Sequence, residues 1–194
     1  MLLCFRNTKN NFFQKSNKMN YCISFCLAAF LFFSCGDTQK KTTKNTNIQS
    51  KEFQDKLVEA NKMYVKRESD EIDQYVARHH LSMTTTGTGL RYMITKKGDG
   101  KELAQVGQTA KVNYKVSLLD GTLCYSSDKN GPEDIVIGKD YTETGLHEGM
   151  QLLHVGDEAL FILPSHLAHG LAGDGDKIPA KASVIYEIKL LSLR

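Results

Sequence analysis

The sequence predicts an α+β fold, in which a twisted antiparallel β-sheet packs on one short helix and is preceded by an N-terminal helical segment. This prediction rests on the spacing of apolar residues. Between about residues 52 and 82 they recur every three or four positions, which is typical of amphipathic helices. From Thr88 the spacing changes to two, which is typical of antiparallel strands with one buried and one exposed face. Helical spacing returns only over residues 142–153, so the predicted sheet has one helix to pack against it.

Residues 1–35 have the order of a signal peptide. A basic start is followed by an apolar stretch over residues 21–34, which is shorter than the ~20 residues that a membrane span needs. The stretch ends in Phe33-Ser34-Cys35-Gly36. This ending resembles a bacterial lipoprotein signal, which implies lipidation of Cys35 and a lipid bilayer as a partner. A plain signal peptide and an uncleaved anchor are the alternatives.

The next two segments differ in their apolar content. Residues 36–51 are rich in Thr, Lys, Asn and Gln, and we expect a flexible tether because Ile48 is their only apolar residue. Residues 52–86 form the predicted helical segment. Ser69-Asp70-Glu71 has the composition of a helix start, which predicts two helices, with a single kinked helix as the alternative. The apolar face of residues 52–82 either packs on the following domain or binds a partner in the cell envelope.

The clearest strand pattern covers residues 110–118, where every second residue is apolar. Asp120-Gly121 then predicts a tight hairpin turn. A further short strand is expected over residues 134–137 and another over residues 158–163, and the last strand is predicted over residues 184–190. These strands account for the sheet of the predicted fold.

The composition excludes several function classes. Without residues 1–34, which hold four basic residues and no acid, the 25 basic residues fall to 21, against 22 acidic residues, so nucleic acid is not an expected partner. The cysteines lack the spacing of a zinc site, and no phosphate-binding loop or nucleophile elbow is present. We therefore expect no metal and no cofactor. What remains is an apolar concave surface with polar groups, whose candidate residues are Tyr114, Leu146, Ile178, Tyr186 and His169.

Residues 88–194 also carry short motifs in a fixed order. They include Gly98-Asp99-Gly100, Val112-Asn113-Tyr114, Asp120-Gly121-Thr122, Gly145-Leu146-His147-Glu148-Gly149-Met150, Leu163-Pro164-Ser165 and Ile178-Pro179. Together these motifs resemble an FKBP-type peptidyl-prolyl isomerase domain. The resemblance implies a domain over residues 87–194 whose sheet half-wraps one short helix. It also implies Xaa-Pro segments of polypeptides as substrates and no cofactor.

The resemblance implies roles for eight residues. Tyr114, Tyr125 and His169 match catalytic positions, with Tyr114 and His169 as hydrogen-bond donors. The matches to substrate-binding positions are Leu146, Ile178 (through its backbone amide), Tyr186, Val136 and Cys124.

Several positions depart from the family pattern. Cys124-Tyr125 stands where the family usually has Phe-Asp, so the acid thought to polarise the site is missing there, and Asp128 is a poor substitute. Glu133 replaces a phenylalanine of the pocket rim, and Thr142-Glu143 replaces an apolar pair. Glu143 and Glu148 could be paired carboxylates, but on a helix that faces solvent such residues are more often solvated, and we expect Glu143 to face solvent. These changes predict a more polar pocket with weak or selective isomerase activity, and a domain that only binds is the alternative.

The whole chain resembles a narrower group, the isomerase-like lipoproteins associated with gliding motility, through its signal, its helical segment and Thr86-Gly87-Thr88-Gly89-Leu90-Arg91-Tyr92. Because no acidic run follows Cys35, we expect a lipid-anchored protein of the cell envelope, on the periplasmic face of the outer membrane. Two functions follow. One is a membrane-tethered isomerase that assists the folding of envelope or secreted proteins, and the other is a binding or chaperone module in an envelope machine.

Overall fold

The structure is a computed structural model that describes residues 43–129 and 131–194, with side chains from residue 50 onward. The described residues form two helices, a single 3₁₀ turn and seven strands. The helices are α1 (Thr43–Arg78) and α2 (Thr144–Met150), and the 3₁₀ turn is Ser165–Leu167. The strands are β1 (Thr84–Thr85), β2 (Arg91–Lys96), β3 (Thr109–Leu118), β4 (Leu123–Ser126), β5 (Glu133–Val136), β6 (Glu158–Leu163) and β7 (Val184–Leu193).

All of these strands join one antiparallel sheet. Its order is β1-β2-β6-β7-β3-β4, and β5 pairs with β3 beyond this path. The two longest strands, β3 and β7, are neighbours. The predicted α+β class, with an antiparallel sheet, one short helix and an N-terminal helix, is confirmed.

Helix α2 packs on one face of the sheet through glycine. A Cβ atom added at Gly149 would lie 2.7 Å from Cε2 of Phe161, and one added at Gly145 would lie 2.8 Å from Cδ2 of Leu163. These two glycines are four residues apart and so lie on the same side of the helix. Their lack of side chains lets the helix backbone approach β6 directly. Helix α2 is shorter than the predicted 142–153, because Glu143 is extended and turns follow Met150.

Helix α1 packs on the opposite face of the sheet. Ile72 is fully buried there against Ile162 of β6 and Ile185 of β7, with Tyr75 and Val76 beside it. Residues 50–63 of the same helix are exposed. The docked part of α1 is therefore its C-terminal half.

The prediction of two helices within residues 52–82 is wrong, because α1 is a single helix. Ser69 does not cap a new helix. Its hydroxyl accepts a hydrogen bond from Nη2 of Arg91 at 2.7 Å. Asp70 pairs with Lys66 one turn earlier at 2.8 Å, which stabilises a continuous helix. Both groups of the cap-like sequence thus have other partners.

The predicted tether also ends earlier than expected, since residues 43–51 belong to α1. A polar composition argues against burial but does not prevent a helix, and this segment continues the helix that the following residues form, because adding residues to an existing helix costs less than starting one. The rest of the tether and the predicted lipoprotein signal with Cys35 lie outside the described residues. Within residues 43–129 and 131–194, no helix has the length and apolarity that a membrane crossing requires.

The docking of α1 predicts unequal effects for two apolar residues of this helix. Ile72→Ala should lower the free energy of unfolding by about 2–5 kcal/mol, because it leaves a cavity between the helix and the sheet. Phe53→Ala is the matched control, since Phe53 is 62% exposed and should change the free energy by less than about 0.5 kcal/mol. Urea denaturation followed by circular dichroism measures both values. Equal effects of the two substitutions would contradict the docking of α1.

Candidate functional site

A cavity of about 280 Å³ opens on the α2 side of the sheet. Strands β3, β5 and β7 form its floor, and the start of α2 and the loop between β6 and β7 form its walls. Most of its lining is apolar or aromatic. The lining residues are Val112, Tyr114, Val116, Tyr125, Glu133, Ile135, Tyr141, Thr142, Glu143, Leu146, His169, Asp174, Tyr186 and Ile188.

Glu143 joins two walls of the cavity. Its side chain is only 9% exposed, and Oε1 accepts a hydrogen bond from the Tyr186 hydroxyl at 2.6 Å. Nε2 of His169 lies 2.7 Å from the same oxygen. This contact lacks the angle of a hydrogen bond, so it is an ion pair when the imidazole is protonated. Burial, followed by the charge of Glu143, raises the pKa of Tyr186 above its usual value of 10.0.

Tyr125 and Asp174 form a second polar pair at the rim. The Tyr125 hydroxyl donates a short hydrogen bond to Oδ2 of Asp174. Oδ1 of Asp174 accepts the backbone amides of Asp176 at 2.9 Å and Ile178 at 2.8 Å. The hydrogen bond from Tyr125 is the largest cause that lowers the pKa of Asp174 to about 2. The same bond raises the pKa of Tyr125 to about 12, so the pair is a neutral phenol beside a carboxylate at neutral pH.

Tyr114 lies between these two pairs. Its ring centroid is 6.5 Å from that of Tyr186, at an angle of 42°, which suits a tilted aromatic contact. Burial, and then a hydrogen bond to the neighbouring carboxylate of Glu133, raise the pKa of Tyr114 to about 12. Its hydroxyl therefore stays protonated and able to donate at any physiological pH.

The structure brings five of the predicted site residues together in this cavity. They are Tyr114, Tyr125, His169, Leu146 and Tyr186. They come from three strands, from α2 and from one loop, so only the folded chain places them together.

Three predicted substrate-binding residues lie elsewhere. The amide of Ile178 already donates to Asp174, and its side chain is in the core, so the role expected for this amide does not fit the structure. Val136 is not a lining residue, because side chains alternate along β5 and it is its neighbour Ile135 that faces the cavity. Cys124 is buried in the core, with Sγ 3.7 Å from the Thr122 carbonyl oxygen.

Two carboxylates of the cavity, Glu143 and Asp174, were not predicted from the sequence. Glu143 was expected to face solvent, but it is buried against Tyr186 and His169. Asp174 lies between two turn glycines, and nothing in that pattern marked it as a cavity residue. Asp174 places a carboxylate beside Tyr125, the residue that stands where the family usually has an aspartate. Asp128 instead lies 3.3 Å from Lys115 and does not line the cavity.

Two backbone amides at the cavity are free to bind a carbonyl oxygen. Thr142 and Glu143 both line it, and within the described part of the chain neither of their N–H groups donates a hydrogen bond. Glu143 is the N-cap residue of α2, and Thr142 precedes it. As to metals, the described ranges contain no group of three or more His, Cys, Asp or Glu side chains arranged to hold an ion.

Comparison with known proteins agrees with this architecture. Residues 100–191 match the model of the FKBP-type peptidyl-prolyl cis-trans isomerase family. The chain contains an FKBP-type domain. It is 35% identical over 144 residues to a probable FKBP-type peptidyl-prolyl cis-trans isomerase FkpA of Neisseria meningitidis, which covers 73% of this chain and 52% of that protein. It is also 37% identical over 92 residues to the isomerase FKBP10 of Mus musculus, which covers 47% of this chain and 16% of that protein.

The FKBP-type domain also has a structural relative. The crystal structure of FkpA from Escherichia coli aligns with a TM-score of 0.56 over 80% of this chain and 74% of that chain. At 23% sequence identity, this similarity shows the fold alone. The chain spans only about half the length of its Neisseria relative.

The Tyr125–Asp174 pair predicts a measurable shift in acid titration. Tyr125→Phe removes the hydrogen bond that most lowers the pKa of Asp174, so this pKa should rise from about 2 towards 3.8. Because the folded-state pKa is depressed, the stabilisation by ionised Asp174 is present above about pH 4 and is lost as the pH falls through 2. The variant should therefore lose less stability than the wild type over this interval. Carboxyl ¹³C NMR measures the titration, with Tyr114→Phe as the control that should leave Asp174 unchanged.

Proposed function

We propose that this protein is a peptidyl-prolyl cis-trans isomerase that acts on Xaa-Pro segments of polypeptides. One observation carries the proposal: the FKBP-type domain has a cavity of about 280 Å³ with aromatic walls, large enough for a prolyl ring. The relatives named above are FKBP-type isomerases by description, which supports the same activity for this chain.

The chemistry needs no nucleophile and no metal. Conjugation of the peptide bond creates a rotation barrier of ~18–20 kcal/mol, and uncatalysed isomerisation before proline takes tens of seconds or longer. A planar peptide bond is more polar than a twisted one, since rotation removes the conjugation. A cavity with apolar walls therefore favours the twisted bond over the planar one. Catalysis in this cavity consists of binding the transition state better than the ground state.

Hydrogen-bond donors complete the site. The Tyr114 hydroxyl is protonated at neutral pH and Tyr114 lines the cavity, so this hydroxyl can exchange Glu133 for a carbonyl oxygen of the substrate. The unpaired amides of Thr142 and Glu143 are further donors, in place of the Ile178 amide. The Tyr186 hydroxyl is already bound to Glu143, so its ring serves as a wall. Fixed donors of this kind stabilise charge without reorganisation during the reaction.

A second candidate function is a binding module with little catalysis. It is favoured by the carboxylates of Glu133, Glu143 and Asp174, which make the cavity more polar than an aromatic pocket. Burying an apolar proline beside them gains less free energy than burying it in a fully apolar pocket. Weak or selective isomerase activity is consistent with the same observation.

We further propose that lipidation of Cys35 tethers the domain to the periplasmic face of the outer membrane. The order of residues 1–35 and the absence of an acidic run after Cys35 support this location. The substrates would then be envelope or secreted proteins. A role in gliding motility is supported by the resemblance of the whole chain to lipoproteins associated with that process.

Isomerase activity should depend on Tyr114. Tyr114→Ala removes a wall of the cavity and a donor, so the catalysed rate should fall at least about tenfold, which corresponds to about 1.4 kcal/mol in the barrier. Two-dimensional exchange NMR on a series of Xaa-Pro peptides measures the rate directly. Tyr92→Ala is the matched control, since Tyr92 lies on β2 and does not line the cavity.

No acceleration by the wild-type protein on any peptide, together with a well-dispersed spectrum, would support the binding module instead. An unchanged rate for Tyr114→Ala would show that the reaction takes place outside this cavity.

The lipid anchor is tested by Cys35→Ser. This substitution removes the sulfur atom that would carry the lipid, so the protein should move from the membrane fraction to the soluble periplasmic fraction. Cell fractionation measures the location of the protein, and the intact mass of the mature protein shows whether it carries a lipid. Cys124→Ser is the control and should stay with the membranes. A membrane-bound Cys35→Ser protein would contradict the proposed anchor.

A further inference from the structure

We propose that Tyr64 and Glu68 of helix α1 are positioning residues for the cavity, because they hold both ends of the loop that carries His169 and Asp174. This loop runs from Pro164, after β6, to Ser183, before β7. The proposal rests on the isomerase function proposed above. It adds to the site two residues of a helix on the opposite face of the sheet.

Glu68 contacts both ends of this loop. The residue is only 5% exposed, although it is charged. Its Oε1 accepts a hydrogen bond from the backbone amide of Ser165 at 2.7 Å and one from the hydroxyl of Ser183 at 2.9 Å. Ser165 is the second residue of the loop and Ser183 is the last. One carboxylate oxygen therefore joins two points of the chain that are separated by the whole loop.

Tyr64, one helical turn earlier, repeats this arrangement. Its hydroxyl lies 3.0 Å from Oγ of Ser165 and donates to the carbonyl oxygen of Lys181 at 3.1 Å. The ammonium group of Lys181 lies 5.0 Å from the centre of the Tyr64 ring, within the range of a cation–π contact. Tyr64 thus contacts the same two ends of the loop as Glu68.

Hydrogen bonds inside the loop connect these anchors to the cavity. The amide of Gly170 donates to the carbonyl oxygen of Ser165 at 2.7 Å, and the amide of Lys181 donates to the carbonyl oxygen of Gly170 at 2.8 Å. Gly170 follows His169 directly in the chain. The backbone beside His169 is therefore bonded to the two residues that α1 holds, Ser165 and Lys181.

Docking of the helix does not require this buried charge. Ile72 already packs in the apolar contact with β6 and β7, and Arg91 of β2 binds Ser69 and Asp73 of α1 at 2.7 and 2.9 Å. A buried carboxylate costs free energy unless its hydrogen bonds are satisfied. In the described part of the chain, the hydrogen bonds of Glu68 all come from the loop ends. Glu68 thus holds the loop in position, and Arg91 holds the helix on the sheet.

The test compares Glu68→Ala, Glu68→Gln and Tyr64→Phe with the control Asp73→Asn, in the whole protein. Glu68→Ala leaves the amide of Ser165 without its acceptor, so hydrogen exchange at Ser165 and Gly170 should become at least about tenfold faster. The kcat for a Xaa-Pro peptide should fall about tenfold, with a smaller change in KM, because a displaced loop misplaces His169 and Asp174.

The other variants separate positioning from stability. Glu68→Gln retains a side-chain carbonyl oxygen that can still accept from the Ser165 amide, so this variant should keep slow exchange and most of the kcat. Tyr64→Phe should free the end of the loop at Lys181 and lower kcat by a smaller factor. Asp73→Asn weakens the Arg91 contact of the same helix and should leave both the loop exchange and kcat at their wild-type values.

The proposal would be overturned if the amides of Ser165 and Gly170 in Glu68→Ala exchanged as slowly as in the wild type. It would also be overturned if these amides exchanged faster while kcat stayed unchanged. If Glu68→Ala does not fold, Tyr64→Phe decides the question by the same two measurements. If the wild-type protein shows no isomerase activity, the proposed function fails. The exchange measurements, together with the NMR shifts of the His169 ring, then still decide whether α1 positions the loop.

Discussion

The placement of β7 between β3 and β6 is the constraint on which the rest of the structure depends. Its side chains alternate between two covered faces. Tyr186 faces the cavity and Ile185, the preceding residue, packs against Ile72 of α1. A shift of one residue in the pairing of β7 would exchange these faces. Both the cavity and the docked helix therefore depend on one register, which the apolar residues on the two sides of β7 specify.

The cavity combines aromatic walls with carboxylates that accept hydrogen bonds from neighbouring phenols. Tyr186 donates to Glu143 and Tyr125 donates to Asp174, so each acid lies beside a phenol that stays protonated. These pairs hold the rings in place, which favours a cavity of constant shape. They also explain how acidic residues occupy positions beside a binding surface for apolar groups.

The loop between β6 and β7 connects the two faces of the sheet. Its middle lines the cavity with His169 and Asp174, and its ends bind Tyr64 and Glu68 of α1. Binding and catalytic residues often lie on loops that a rigid scaffold positions. Here the sheet and the helix together form that scaffold. A segment that precedes the FKBP-type domain in the chain thus becomes part of the support of its cavity.

The sequence by itself determined the fold class, because periods of two and of three to four residues distinguish strands from helices without reference to the rest of the chain. The resemblance of its ordered motifs to a known family also led to Tyr114, Leu146, Tyr186, Tyr125 and His169, which line the cavity. Only the tertiary structure decided the hydrogen-bond partners of Glu143, Asp174 and Glu68. Whether a carboxylate is solvated or buried depends on which residues, distant in the sequence, contact it in the fold. No local sequence pattern encodes these contacts. The same holds for the Ile178 amide, whose partner is set by the path of its loop.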